Sequence, residues 1–216
     1  MSESKASPEE RPAPSPSSAL SFLRIVGKLK QLKRTGWIHR GVDGPESVAD
    51  HMYRMAMCSF LVTDARLDRS RVMKLAVVHD LAEALAGDIA PFQKVTKEEK
   101  RRLEEEGLEK ICATIGSDPI AREIKELWLE YEDCTSEEAR VVKDFDKFEM
   151  IVQADEYEQG QGMDLGEFFE STAGVFTTSQ VQSWDKELRA QRDNRRKDAR
   201  SVVGPLSRED EKPSHS

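Results

Sequence analysis

No stretch of this sequence is apolar for long enough to cross a bilayer, which takes about 20 consecutive apolar residues. Residues 1–18 are dominated by Ser, Pro and Glu and lack the apolar block of an export signal, so no targeting segment is expected there. Cysteine is scarce. Cys58, Cys112 and Cys134 are scattered, odd in number and form no CxxC pair, which excludes a disulfide framework and points to a reducing, intracellular compartment. A cytoplasmic location is the expectation, and nothing in the sequence separates it from the nucleus. Positive charge is in deficit: 33 Lys and Arg face 41 Asp and Glu, a formal net charge of -8. That balance argues against nucleic acid or an anionic membrane as the bulk partner. Alternating strand patterns and internal repeats are also missing.

What remains is helical periodicity, in a chain whose 216 residues suffice for one domain with a real core. Residues 1–17 and 196–216 are too poor in apolar side chains to bury a core and are expected to be disordered tails around a folded body at 18–195. Phe22, Ile25, Val26, Leu29 and Leu32 make one apolar stripe, followed by a loop containing Gly36, Gly41, Gly44 and Pro45. A second helix is expected over 47–63 and a third, apolar on most sides, over 71–85, stopping near Gly87. Thr96 and Glu99 form a capping-box pattern for a charged helix that Gly116 ends, and Asp118-Pro119 opens the next. Thr135 and Glu138 repeat the capping pattern ahead of a helix carrying Val142, Phe145, Asp146, Glu149 and Val152. A short helix near 165–173 and a last one over 179–192 complete an all-α reading.

Only four histidines exist: His39, His51, His79 and His215. His215 falls in the C-terminal tail and His39 in the glycine-rich loop. His51 and His79 sit on helices with apolar faces, and Asp80 follows His79 inside Leu75-Ala-Val-Val-His-Asp-Leu-Ala82. A carboxylate beside an imidazole in a buried helix is costly unless something pairs with both, and a divalent cation does so. A later helical acid such as Asp146, set between Phe145 and Phe148, completes two imidazoles and two carboxylates on three helices, the way metal sites are built inside helical bundles. That donor set suits Mn²⁺, Co²⁺, Fe²⁺ or Zn²⁺. Glu83 shares the helical face of His79 and Asp80, and Asp88 follows Gly87. Both are candidates for water orientation or acid–base work, or for a second, harder cation such as Mg²⁺.

Three blocks in order carry a resemblance: Glu46-Ser-Val-Ala-Asp-His51, then His79-Asp-Leu-Ala-Glu83 with Gly87-Asp-Ile-Ala-Pro91, then Val142-Lys-Asp-Phe-Asp146. Over roughly residues 19–190 the chain resembles the HD-domain phosphohydrolase superfamily, in its 5′-deoxynucleotidase branch. The resemblance implies an all-helical HD fold, a homodimer, and metal-dependent hydrolysis of deoxyribonucleoside 5′-monophosphates to nucleoside and phosphate. It implies His51, His79, Asp80 and Asp146 as metal ligands and Glu83 and Asp88 as acids beside the reacting phosphate. Some relatives hold a second metal with those acids and the backbone carbonyl at the Ile89 position. It also implies an Arg and a Trp for substrate recognition, here Arg34 and Trp37, with Arg40 a rival because bacterial relatives have the two adjacent. Related superfamily activities on a cyclic nucleotide, a triphosphate or an alarmone are the alternatives, as is a non-catalytic metal- or nucleotide-binding module.

Several residues also have plain structural readings. Asp144 rivals Asp146 as the later acid, Trp37 could be a core anchor, and Arg34 could belong to a solvated basic face with Lys28, Lys30 and Lys33. The basic run from Arg189 to Arg200 reads as a solvated helix end.

Overall fold

Helix caps frame the molecule. The computed structural model describes residues 13–116 and 118–202, and among them finds ten α-helices and no strand. The Ser15 hydroxyl accepts from the Ser18 N–H to open α1 (Pro16–Val26), with Pro16 in the first turn, where its missing N–H costs nothing. After a 3₁₀ turn and the short α2 (Thr35–His39) comes α3 (Val48–Cys58). Its capping box is complete: the Asp50 N–H donates to Ser47 Oγ, and the Ser47 N–H donates to the Asp50 carboxylate at 2.8 Å. Asp68 caps α4 (Arg69–Val78), and α5 (Glu83–Ala86) follows after a tight turn. Thr96 and Ser136 cap α6 (Lys97–Ile115) and α8 (Glu137–Gln161), with α7 (Asp118–Asp133) between them. The chain finishes with α9 (Gly166–Ser171) and α10 (Ser179–Val202).

α8 is the axis. Helices α3, α4, α7, α9 and α10 all pack on it, and its Val142, Phe145, Ile151 and Ala154 are buried in the core with Met55 from α3 and Leu75 from α4. α6 closes the opposite side against α1, α5 and α7.

Four expectations need correction. The helix expected over 71–85 is broken: α4 ends at Val78, and residues 79–82 continue as a turn closed by i+3 hydrogen bonds from Leu81, Glu83, Ala84 and Leu85. No breaker residue marks this in the sequence; in the structure Gly107 of α6 lies close against the Ala82 carbonyl of this turn. The glycine-rich loop contains α2. The cap of α8 is Ser136, not Thr135, whose N–H is taken by the Glu130 carbonyl. The body also extends past both expected ends. α1 begins at Pro16, and α10 continues to Val202, beyond the boundary at 195. The rest of both tails, and His215, lie outside the described residues.

The basic run on α10 is not a free solvated end. Arg192 forks onto Glu158 at 2.7 and 2.8 Å, Arg195 pairs with Asp155 and Arg196 with Asp164, so the run docks α10 onto α8 and the segment after it.

Candidate metal centre and active site

Two buried imidazoles lack a partner on the same side. His51, in the second turn of α3, has no exposed surface, and His79 at the end of α4 is 3 % exposed. The Nε2 atom of each is buried without a hydrogen-bond partner. Each Nδ1, by contrast, meets an acceptor. His79 Nδ1 lies 2.9 Å from the Ala76 carbonyl, and His51 Nδ1 lies 2.5 Å from Glu149 Oε2. With Nδ1 as the donor, both rings turn Nε2 toward one point, where a cation can take the place of any proton carried there.

Carboxylates surround that point. Asp80 Oδ2, on the turn after α4, lies 3.0 Å from His79 Nε2 and 3.8 Å from His51 Nε2. Asp146 Oδ1, from the middle of α8, lies 3.3 Å from His51 Nε2, and its other oxygen accepts from the Tyr131 hydroxyl at 3.0 Å. Donor atoms of His51, His79 and Asp146 all fall within 4.8 Å of one another. Unpartnered buried imidazole nitrogens facing carboxylates are a poor arrangement for an ordinary core, and they fit a divalent cation. The charges agree. Burial works against ionising Asp80, but His79, Arg34 and His51 hold its carboxyl well below the usual range. Asp146 is likewise held low, chiefly by His51 against the cost of burial. Burial and Arg34 oppose a charge on His51, yet Asp146 and Glu149 prevail and raise it to about 9, so the centre draws in positive charge.

A cavity of about 600 Å³ opens over these groups, within the usual range for small-molecule sites. Arg34, His79, Asp80, Glu83, Asp88 and Asp146 line it, with Lys97 and Lys147, the ion pairs Lys100–Glu104 and Lys143–Glu132, and an apolar wall of Ile89, Pro91, Val95 and Met150. Glu83 is 4 % exposed, and its Oε2 has no hydrogen-bond partner. Burial, reinforced by Asp80 and Asp88, lifts its pKa well above the ordinary carboxylate value, while those of Asp80 and Asp146 are held low. The i+3 turn accounts for its position: such a turn eclipses residues three apart, which sets Glu83 beside Asp80.

Arg34 reaches the site and Arg40 does not. Arg34 Nη1 lies 3.4 Å from Asp80 Oδ2, whereas Arg40 pairs with Glu167 outside the cavity. The Arg34 segment is bracketed on two sides. Its N–H donates to the Glu46 carbonyl, the Val48 N–H donates to the Leu32 carbonyl, and Thr35 is clasped by Asp88. In that clasp the Thr35 N–H donates to Asp88 Oδ2 at 2.5 Å and the Thr35 hydroxyl to the Asp88 carbonyl at 2.8 Å. Asp88 therefore lines the cavity and caps α2 at once, a second task the sequence did not show.

Trp37 is a correction. It is 2 % exposed, it does not line the cavity, its indole N–H donates to Glu46 at 2.8 Å, and its ring meets Tyr157 and Phe168. On α2 it points into the core, so it is an anchor and not a substrate wall. Asp144 is also structural: its carboxylate accepts from the Thr177 and Thr178 N–H groups just ahead of α10. Ile89 is on the cavity wall. Sequence reasoning passed over Glu149, Tyr131 and the cavity lysines. Glu149 had a signal, an acid three residues after Asp146 on the same apolar stripe.

An all-α body that gathers two imidazoles and two carboxylates beneath a cavity lined by charged groups of both signs defines a helical protein of the metal-dependent hydrolase kind. Comparison with known proteins is specific. The HD domain family matches residues 26–186, and the chain belongs to that family. The 5′-deoxynucleotidase HDDC2 of Homo sapiens is 48% identical over 177 residues, covering 81% of this chain and 86% of that protein. The 5′-deoxynucleotidase YGK1 of Saccharomyces cerevisiae is 44% identical over 180 residues, covering 81% and 83%. Among solved structures, HD domain-containing protein YGK1 superposes with a TM-score of 0.62 at 36% identity, covering 84% of this chain and 88% of that one. A conserved hypothetical protein from Pyrococcus furiosus gives 0.65 at 31% identity, over 79% of this chain and 99% of that one. Among the described residues no helix is long and apolar enough to cross a membrane.

Proposed function

We propose that this chain is a divalent-metal-dependent 5′-deoxynucleotidase, hydrolysing deoxyribonucleoside 5′-monophosphates to the nucleoside and phosphate. The observation that carries the reading is the convergence of the unpartnered His51 and His79 Nε2 atoms with Asp80 and Asp146 under a cavity holding Arg34. The relatives named 5′-deoxynucleotidase supply the substrate class. His51, His79, Asp80 and Asp146 would hold the cation, with Mn²⁺, Co²⁺, Fe²⁺ and Zn²⁺ the candidates. When bound, it neutralises phosphoryl charge and acidifies water in its shell.

The side chains do the rest. Arg34 keeps its charge, because Asp80, Asp146, Asp88 and Glu83 outweigh the burial that opposes it, and its planar fork can take two phosphoryl oxygens. Lys97 and Lys147 add positive charge at the cavity for the incoming dianion, while Lys100 and Lys143 are paired with Glu104 and Glu132. Glu83 carries the proton at Oε2 that the leaving 5′-oxygen needs once its bond to phosphorus breaks. The apolar wall of Ile89, Pro91, Val95 and Met150 faces the remainder of the substrate. Glu83, Asp88 through its second oxygen, and the Ile89 carbonyl are the candidates for a second cation such as Mg²⁺. A homodimer belongs to the same proposal, on the strength of the family resemblance.

The test is phosphate release from a panel of deoxyribo- and ribonucleoside monophosphates with Mn²⁺, Co²⁺ or Mg²⁺, alongside a cyclic nucleotide and a triphosphate. Release from the deoxynucleotides, lost in Asp80→Ala together with bound metal and lost in Glu83→Ala without it, is expected. No release with any metal would overturn the enzyme, and turnover of only the cyclic nucleotide or triphosphate would overturn the substrate.

A further inference from the structure

Behind His51, away from the cavity, runs a second polar chain that the proposed reaction leaves unused. His51 Nδ1 meets Glu149 Oε2, and Glu149 Oε1 accepts from Arg54 Nε at 2.7 Å. Arg54 Nη1 then reaches both oxygens of Glu156, at 2.8 and 2.9 Å, and its Nη2 reaches Gln153. The Glu149 side chain has no exposed surface, an unusual position for an acid. Glu149, Arg54 and Glu156 do not line the cavity.

Geometry alone admits two roles for Glu149. Donor atoms of Glu46, His51 and Glu149 lie within 4.8 Å of one another, so the three could form a cation site of their own. Three facts weigh against that. Glu149 spends one oxygen on His51 and the other on Arg54. Glu46 Oε1 accepts the Trp37 indole N–H. The Arg54 guanidinium already occupies the place where a cation would neutralise the cluster. The His51 ring also stands between Glu149 and the other metal donors, so Glu149 cannot join them.

We infer that Glu149 is the positioning residue of the metal centre: it takes the Nδ1 proton of His51, fixes the tautomer that turns Nε2 to the cation, and is itself held by Arg54. The contrast with His79 sharpens the inference. His79 donates to a neutral backbone carbonyl, His51 to a carboxylate. A carboxylate behind an imidazole raises its strength as a ligand, and losing such a partner typically costs about 10–100-fold in metal affinity. His51 is thus the stronger of the two imidazole donors.

The inference rests on the metal centre proposed above but not on its substrate, so the experiment uses no nucleotide. Full-length protein is stripped with chelator and titrated with Co²⁺ against a competing chelator, and the visible absorption of the saturated protein is recorded. Wild type, Glu149→Gln, Glu149→Ala and His51→Ala are compared. The expectation is a Kd for Co²⁺ raised about 10–100-fold in Glu149→Ala and less in Glu149→Gln, whose side-chain oxygen still accepts from Nδ1–H. The saturated spectrum keeps its wild-type form in both and changes in His51→Ala, which loses a ligand. A Kd within twofold of wild type in Glu149→Ala overturns the positioning role. A saturated spectrum altered in Glu149→Gln as it is in His51→Ala makes Glu149 a ligand and overturns it equally. If Glu149→Ala does not fold, Glu149→Leu, which fills the space but cannot accept from Nδ1–H, carries the test: an unchanged Kd refutes the role. Failure of the wild type to bind Co²⁺ would instead overturn the metal centre itself.

Discussion

Glu83 and Asp80 are neighbours with opposite proton habits. His79, Arg34 and His51 hold the pKa of Asp80 low against the cost of burial, while burial, Asp80 and Asp88 push that of Glu83 up. Two acids pushed apart in this way can divide the labour of ligand and proton donor. Because the donor must be protonated, kcat should fall as pH rises through the elevated pKa of Glu83. Glu83→Gln is expected to lose roughly 10²- to 10⁴-fold in kcat, the usual worth of general acid–base catalysis, and to flatten that limb of the pH–rate profile. Steady-state kinetics across pH check both. At this scale the sequence was informative where polar residues interrupted apolar helix faces, as at His51, His79, Asp80 and Glu83; Asp146 was set apart from its rival Asp144 only by the family resemblance. Trp37 was not legible, because the direction a tryptophan faces on a five-residue helix depends on Tyr157 and Phe168, which lie far along the chain.

At the scale of elements, the centre depends on how closely α6 approaches the turn at 79–82. A Cβ on Gly107 would stand 2.9 Å from the Ala82 carbonyl oxygen, closer than backbone tolerates. Gly107→Ala should therefore push the Asp80 turn aside. The gain from better helix propensity, about 1 kcal/mol, is outweighed by overpacking of about 1–3 kcal/mol, so net destabilisation is expected together with weaker metal binding. Gly160, near the end of α8, is the control. Nothing lies within 4 Å of a Cβ there, and Gly160→Ala should stabilise by a few tenths to about 1 kcal/mol. Denaturant unfolding and metal titration of both variants decide the matter. The cap at Thr96 was readable in sequence because the hydroxyl and the Glu99 N–H that donates to it lie three residues apart. The break after Val78 was not, because no glycine or proline marks it along 75–82.

For the whole molecule, the proposed metal would join α3, the end of α4 and α8, three segments remote in sequence. A cation that binds only this assembled state at 100 times its Kd adds about 2.7 kcal/mol, which for a chain of this size raises Tm by roughly 5–11 °C. The gain should vary with pH, because a proton competes with the metal at His51. His51 faces Arg34, Asp80, Asp146, Glu46 and Glu149, and its pKa is raised from 6.5 to about 9. In the chelated protein the stabilisation from that proton is complete below about 6.5 and is lost as pH rises through about 9. The Tm gap between loaded and chelated protein should widen across that window, and scanning fluorimetry at a series of pH values measures it. The all-α class was legible from periodicity alone. The packing around α8 was not, since it depends on which apolar stripes meet.

The clasp between Thr35 and Asp88 changes how variants at Asp88 are to be interpreted. One side chain serves two clients, the cavity and the first turn of α2, and α2 carries Arg34 at its threshold. A slow Asp88 variant is therefore not proof that its carboxylate touches the reaction, since a displaced Arg34 gives the same kinetic symptom. Only the non-additivity of paired changes at Thr35 and Asp88 separates the two losses.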